Sequence, residues 1–193
     1  MARPRKFDRD LALRAGLDVF WRQGFAATTT DDLRIAMGIG RQSFYAAFSD
    51  KKRCYLEALR LYAGDEVSAY LVTLRGAGSP LEGLHALLAG PAKFTSGRRA
   101  AGCMALNAVT EFGAGDADVT AAIGPAALVL RQGILGLLRD ARTQGEVPGT
   151  LDEEQATSAI LCTRSGLLMG AKAGLPPVAL RQVADFIVEQ LRH

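Results

Sequence analysis

Apolar residues recur at helical spacing through nearly the whole of this chain, and no stretch alternates apolar with polar residues as a half-buried strand must. Such a chain can bury its stripes only by packing helix on helix, so the expected fold class is all-α. Gly and Pro punctuate the pattern into about nine helices. Asp8 caps the first, which runs to about Gln23 with Leu11, Ala15, Val19 and Phe20 as its stripe and Gly24 as its stop. Thr29 and Asp32 form a capping box for a short second helix to about Met37, and Gly38-Ile39-Gly40 breaks it. A third covers Arg41 to Phe48, and Ser49 or Asp50 caps a long fourth reaching about Arg75. The fifth starts at Pro80 and ends near Gly90. Pro91 to Arg99 reads as looser chain, the sixth helix as about Ala101 to Phe112, and the seventh as Asp116 to Thr143 with a kink near Pro125. The eighth follows Asp152-Glu153-Glu154, acids suited to a helix start, and ends near Ala173; Gly174-Leu175-Pro176-Pro177 breaks the chain, and the ninth runs to Leu191.

The 193 residues, 49% of them hydrophobic, suffice for a real core. Charge is uneven along the chain. Residues 1–53 hold 11 Lys/Arg against 6 Asp/Glu, whereas the remainder holds 12 against 14. The positive surplus therefore lies in the first quarter, where a polyanion would be met. Cys54, Cys103 and Cys162 make an odd count without a Cys-x-x-Cys pair, which argues against a disulfide framework or zinc cluster and for a reducing compartment. The basic start runs into Phe7-Asp8-Arg9-Asp10 rather than the apolar core of a signal peptide, and no unbroken apolar run approaches the roughly 18 residues of a membrane span. The expectation is a cytoplasmic protein with no membrane partner.

The segment from Thr28 to Phe48 carries the chemistry. Two short helices meet at a tight turn; Leu33, Ala36, Ile39, Phe44 and Phe48 fall where an interior face is needed, and Gly38 tolerates positive φ. Arg41, Gln42 and Tyr45 then face outward at the start of the second short helix, the end that a helix-turn-helix presents to the major groove. Arg can fork onto guanine and Gln onto adenine.

Phe20-Trp21-Arg22-Gln23-Gly24-Phe25, Thr28-Thr29, Ala36-Met37-Gly38-Ile39, Phe44-Tyr45-Ala46-Ala47-Phe48 and Lys51 agree in order, spacing and type with the DNA-binding domain of the tetracycline-repressor (TetR) family of bacterial regulators, which the chain resembles over about 50 residues. The resemblance implies a three-helix helix-turn-helix domain over residues 1–50 and a larger helical bundle for ligand binding and dimerisation over residues 51–193. It implies a homodimer on double-stranded operator DNA, repressing until a small-molecule effector binds. By position, Thr28 and Thr29 would approach phosphates, Arg41, Gln42 and Ser43 would read bases, and Tyr45 and Lys51 would hold the backbone. Arg3, Arg5 and Lys6 would form a basic arm along a groove. Two departures stand out: Gly40 replaces the usual Ser, Thr or Asn cap, and Phe44 the commoner Leu.

The later helices carry polar groups within apolar stretches, and buried polar groups need partners. Cys103, Asn107 and Glu111 recur every four residues on one helical face. With His85 and Arg164 they are candidate ligand contacts, and Phe94, Met104, Leu130, Ile134 and Met169 are candidate apolar walls. Equally, Glu111 and Arg164 could pair internally and the Met and Leu residues be ordinary core. Cys103 follows Arg98 and Arg99, so an oxidant- or electrophile-sensing thiol is an alternative. Ala159, Ser165-Gly166 and Gly170-Ala171 on the eighth helix allow close approach; with Val178, Val183, Phe186, Ile187 and Leu191 on the ninth they suggest a two-fold interface. An enzyme finds little support: there are two His, no metal-ligand cluster, no Gly-rich phosphate loop and no Ser/His/Asp set, and no cofactor is expected. A DNA binder without a ligand is the remaining alternative.

Overall fold

The computed structural model describes residues 7–113 and 115–193, and among them every regular element is a helix. In order they are α1 (Arg9–Ala27), α2 (Thr30–Met37), α3 (Arg41–Phe48), α4 (Lys51–Arg75), α5 (Pro80–Ala89), a 3-10 turn (Gly90–Lys93), α6 (Ser96–Ala101), α7 (Met104–Phe112), α8 (Ala117–Thr143), α9 (Glu153–Lys172) and α10 (Pro177–Gln190). The extra helix lies in the stretch expected to be loose. Thr95 caps α6 by accepting from the Arg98 amide, and Gly102 at φ 70° separates α6 from α7.

The chain divides into two compact units. The first takes the chain up to Ala63 together with Met104–Ile123; the second takes Gly64–Cys103 with Gly124–His193. The units do not follow chain order: α4 contributes to both, and α7 belongs with the helix-turn-helix.

In the first unit, α1 buries Ala12, Leu13, Gly16, Leu17 and Phe20. This corrects the expected stripe by one residue, since Leu11 is 66% exposed and Ala15 and Val19 are only half-buried. Both stripes have helical period, and α2 decides between them: a Cβ on Gly16 would stand 2.3 Å from the Met37 methyl, so α2 packs where α1 has no side chain. Met37 likewise takes the inner place expected of Ala36, which is exposed. Phe20, Phe25, Tyr55 and Phe112 join α1, α4 and α7, with ring centroids 5.0 Å apart for Phe20–Tyr55 and 5.4 Å for Tyr55–Phe112.

The second unit has an aliphatic core. Leu81, Leu84 and Leu88 of α5 meet Ile134 and Leu138 of α8, Ile160 and Leu167 of α9, and Leu180 and Ala184 of α10. Each fully buried Leu or Ile contributes about 1.5–3 kcal/mol. Gly83 lets α5 approach α4: a Cβ there would lie 2.5 Å from the Leu74 carbonyl oxygen. Among the described residues α8 alone is long and apolar enough, by length and composition, to cross a membrane. Its Leu130, Ile134 and Leu138 nonetheless belong to this core, and Arg131 pairs with Glu154 and Arg142 with Glu153 of α9.

Candidate nucleic-acid interface and ligand cavity

The helix-turn-helix is shaped by its caps. Thr29 Oγ1 accepts from the Asp32 amide at 3.1 Å while Asp32 Oδ2 accepts from the Thr29 amide at 2.9 Å, closing the expected capping box. The Thr29 hydroxyl and amide together hold the Asp32 carboxyl below its ordinary range. Gly38, at φ 66°, ends α2: its amide donates to Ile35 O at 3.2 Å and the Ile39 amide to Arg34 O at 3.1 Å. Arg34 braces the turn, with Nε on Asp31 Oδ1 at 3.0 Å. Phe44 and Phe48 anchor α3 from below, both essentially inaccessible, so Arg41, Gln42 and Tyr45 are left exposed and Ser43 half-exposed. The Arg41 guanidinium lies 5.9 Å from the Tyr45 ring centre. Gly40 precedes α3 with no side-chain cap, leaving the free amides of its first turn open. Asp50 supplies the cap of α4 by accepting from the Arg53 amide at 2.9 Å.

Two residues expected at phosphates do other work in this structure. Thr28 is 1% exposed, and its hydroxyl donates to Gly24 O at 2.6 Å. The Lys51 ammonium donates to Phe25 O at 2.9 Å and Thr28 O at 2.8 Å, 4.2 Å from the Phe25 ring centre. Both secure the end of α1, where Gly24 breaks the helix at φ 80°. A lysine in the first turn of a helix reads equally well as a phosphate contact or as a clamp; only the fold brings the α1 carbonyls to it. Arg3, Arg5 and Lys6 lie outside the described residues.

Glu111 belongs to the same clamp. Its carboxylate accepts from the Phe25 amide at 3.0 Å and the Ala26 amide at 2.6 Å. Its carboxylate is therefore engaged within the first unit, on the α1 backbone. Asp116 and Asp118 hold Lys52 at 3.3 and 2.8 Å. The candidate wall residue Met104 is buried, Asn107 is half-buried, and both sit on α7 in the first unit.

The second unit contains a cavity of about 310 Å³ between α4, α5, α6 and α9. Of the ten candidate ligand residues it brings together only Phe94 and Arg164. Leu130 and Ile134 are plain core, Met169 is exposed, and His85 lies apart with Nε2 2.6 Å from Asp185 Oδ1. Cys103 is buried, its upstream arginines engaged by Glu66 and by Leu175 O, which removes the access a sensing thiol requires. Sequence reasoning missed Glu66, Tyr70 and Arg98 of the cavity wall. Glu66 and Tyr70 stand one helical turn apart on α4, the one available signal that they share a face. Tyr70 Oη donates to Glu66 at 2.5 Å, and Arg98 pairs with the same carboxylate oxygen at 2.5 Å. Among the described residues no three His, Cys, Asp or Glu stand together as a metal site.

Known proteins match the chain along its length. The family described as "Bacterial regulatory proteins, tetR family" matches residues 12–58, and "Tetracyclin repressor-like, C-terminal domain" matches residues 80–187. The chain is 26% identical over 186 residues to the HTH-type transcriptional repressor ComR of Escherichia coli (strain K12), covering 94% of this chain and 88% of that one. A cysteine mutant of the TetR family transcriptional regulator CifR, complexed with 26-bp double-strand operator DNA, is 31% identical, with a TM-score of 0.78 over 98% of this chain and 100% of that one. A TetR family regulator from Cytophaga hutchinsonii, at 17% identity, shares the fold with a TM-score of 0.84 over 95% of this chain and 92% of its own.

Proposed function

Because this chain belongs to the tetR family of bacterial regulatory proteins and is a DNA-binding regulator of transcription, we propose that it is a repressor, released from a pseudo-palindromic operator by a small-molecule effector. The observation that carries this reading is the start of α3, where uncapped amides adjoin exposed Arg41, Gln42 and Tyr45 over a rigid Phe44–Phe48 base. That edge offers a forked donor and an amide to base edges and a phenol to the backbone. The name of ComR, a repressor, and the operator duplex bound to CifR support the same reading.

Residues 1–50 carry the DNA contacts in this proposal and residues 51–193 the effector and dimer surfaces. The homodimer forms through α9 and α10. Ala159, Cys162, Gly166 and Met169 make an exposed face of small or flexible side chains along α9. Val178, Val183 and Phe186 are exposed on α10, whereas Leu191, expected at the same surface, is buried in the protomer core. Exposed apolar surface of this kind marks an interface, and a two-fold pair of recognition helices about 34 Å apart would suit successive major grooves. Release follows α4, which supplies Lys51 and Tyr55 to the first unit and Glu66 and Tyr70 to the cavity. An effector acts only so far as it favours the non-binding arrangement of that helix. The place of action is the cytoplasm, where the operator is.

Anisotropy titrations with duplexes from the gene's own upstream region, against random competitor, test the reading. One duplex should bind far more tightly than the rest, and binding should weaken steeply with salt. Equal affinity for all duplexes at low ionic strength would overturn it. Phe186→Asp should convert the dimer to a monomer in sedimentation; an unchanged dimer would move the interface elsewhere.

A further inference from the structure

The charges around the cavity in the second unit do not balance. Arg98 and Arg164 face it, with Glu66 as the one acid among its lining residues. Glu66 is already held by Arg98 and by the Tyr70 hydroxyl. Arg164 instead lies over the Tyr70 ring, 4.1 Å from its centre, and among the described residues no carboxylate pairs with it. A guanidinium met by a ring face rather than by a carboxylate still has N–H donors to give, in the fork that matches a carboxylate. Burial keeps the Tyr70 phenol neutral, well above its ordinary range, so it does not supply the missing negative charge. Apart from Thr73, the remaining side chains of the wall are apolar, Leu87, Pro91, Phe94 and Leu168 among them, and Phe94 lies 5.0 Å from the Arg98 guanidinium.

We propose that this cavity binds a small organic carboxylate with an aromatic or branched apolar body: Arg164 takes the carboxylate while Phe94, Leu87 and Leu168 enclose the body. A single surplus cation matches a monoanion. A phosphate dianion would leave one charge against apolar wall, which desolvation disfavours. The inference rests on the effector-responsive reading above and names the chemical class of that effector.

Calorimetric titration of the full-length protein with benzoate, phenylacetate and 3-phenylpropionate, each beside its primary amide, tests it. At least one acid should bind, about ten- to a hundredfold more tightly than its amide, as expected of a charge-assisted contact. Arg164→Gln should abolish that preference and Arg164→Lys should retain part of it, with operator affinity without ligand as the check that each variant folds. No binding by any acid, equal binding of acids and amides, or an acid preference unchanged in Arg164→Gln would each overturn the proposal. Ala86→Phe, which fills the cavity, separates the two levels of failure. If amides bind as well as acids and Ala86→Phe blocks both, the carboxylate assignment falls and the effector cavity stands; if binding survives Ala86→Phe, both fall.

Discussion

The two units reach stability by different chemistry. In the first, short helices are set by caps and by charged groups on named backbone atoms: Asp32 on the Thr29 amide, Glu111 on the Phe25 and Ala26 amides, Lys51 on two carbonyls at the end of α1. Aromatic rings fill what remains. In the second, Leu, Ile, Val and Ala side chains fill the core, and the polar contacts sit around a cavity that they leave partly unsatisfied. Hydrogen bonds have fixed directions, whereas aliphatic contacts tolerate repacking. Under the proposed function, presenting three side chains to a duplex profits from the first kind, and admitting an effector from the second.

Truncating the anchor of α3 tests the contrast most severely. Phe44→Ala should cost about 3–5 kcal/mol and abolish operator binding, followed in denaturant by fluorescence of Trp21, the single tryptophan, which packs on Tyr62 within the first unit. A loss below 1 kcal/mol would show that α3 needs no rigid base. Gly83→Ala, which drives a methyl into the Leu74 carbonyl, should cost about 1–3 kcal/mol by circular dichroism, despite adding only one carbon. An unchanged midpoint would mean that the α4–α5 approach is soft.

Arg41→Ala should reduce discrimination between the preferred duplex and its base-pair variants by about 1–3 kcal/mol while thermal stability stays within about 0.5 kcal/mol. Equal weakening on every duplex would make Arg41 a phosphate contact. Thr29→Ala, which opens the capping box, should cost about 1 kcal/mol. Acid should then separate the units by a smaller margin. Hydrogen bonds from Thr29 hold Asp32, and the Val119 amide and Lys52 hold Asp116, below the ordinary value of 3.8. The folded first unit therefore binds fewer protons than its unfolded chain, so this stabilisation is present at neutral pH and lost as pH falls through values under 3.8. Denaturation midpoints read at Trp21 should drop in that window, and Asp32→Asn should flatten the drop.

What the sequence by itself determined was whatever depends on neighbours along the chain. The helical class, the Thr29–Asp32 box, the Gly38 turn, the Gly24 break and the outward start of α3 each arise within a few residues, where spacing and residue type decide the geometry. Tertiary structure alone decided which of two adjacent stripes of α1 faces inward, because that turned on Met37 meeting Gly16. It also brought Glu111 and Lys51 to the backbone at the end of α1, and it assembled Glu66, Tyr70, Arg98 and Arg164 around one cavity. A charged or polar side chain advertises that it needs a partner, but the partner lies on another helix, and a single chain's periodicity carries no record of which helices will meet.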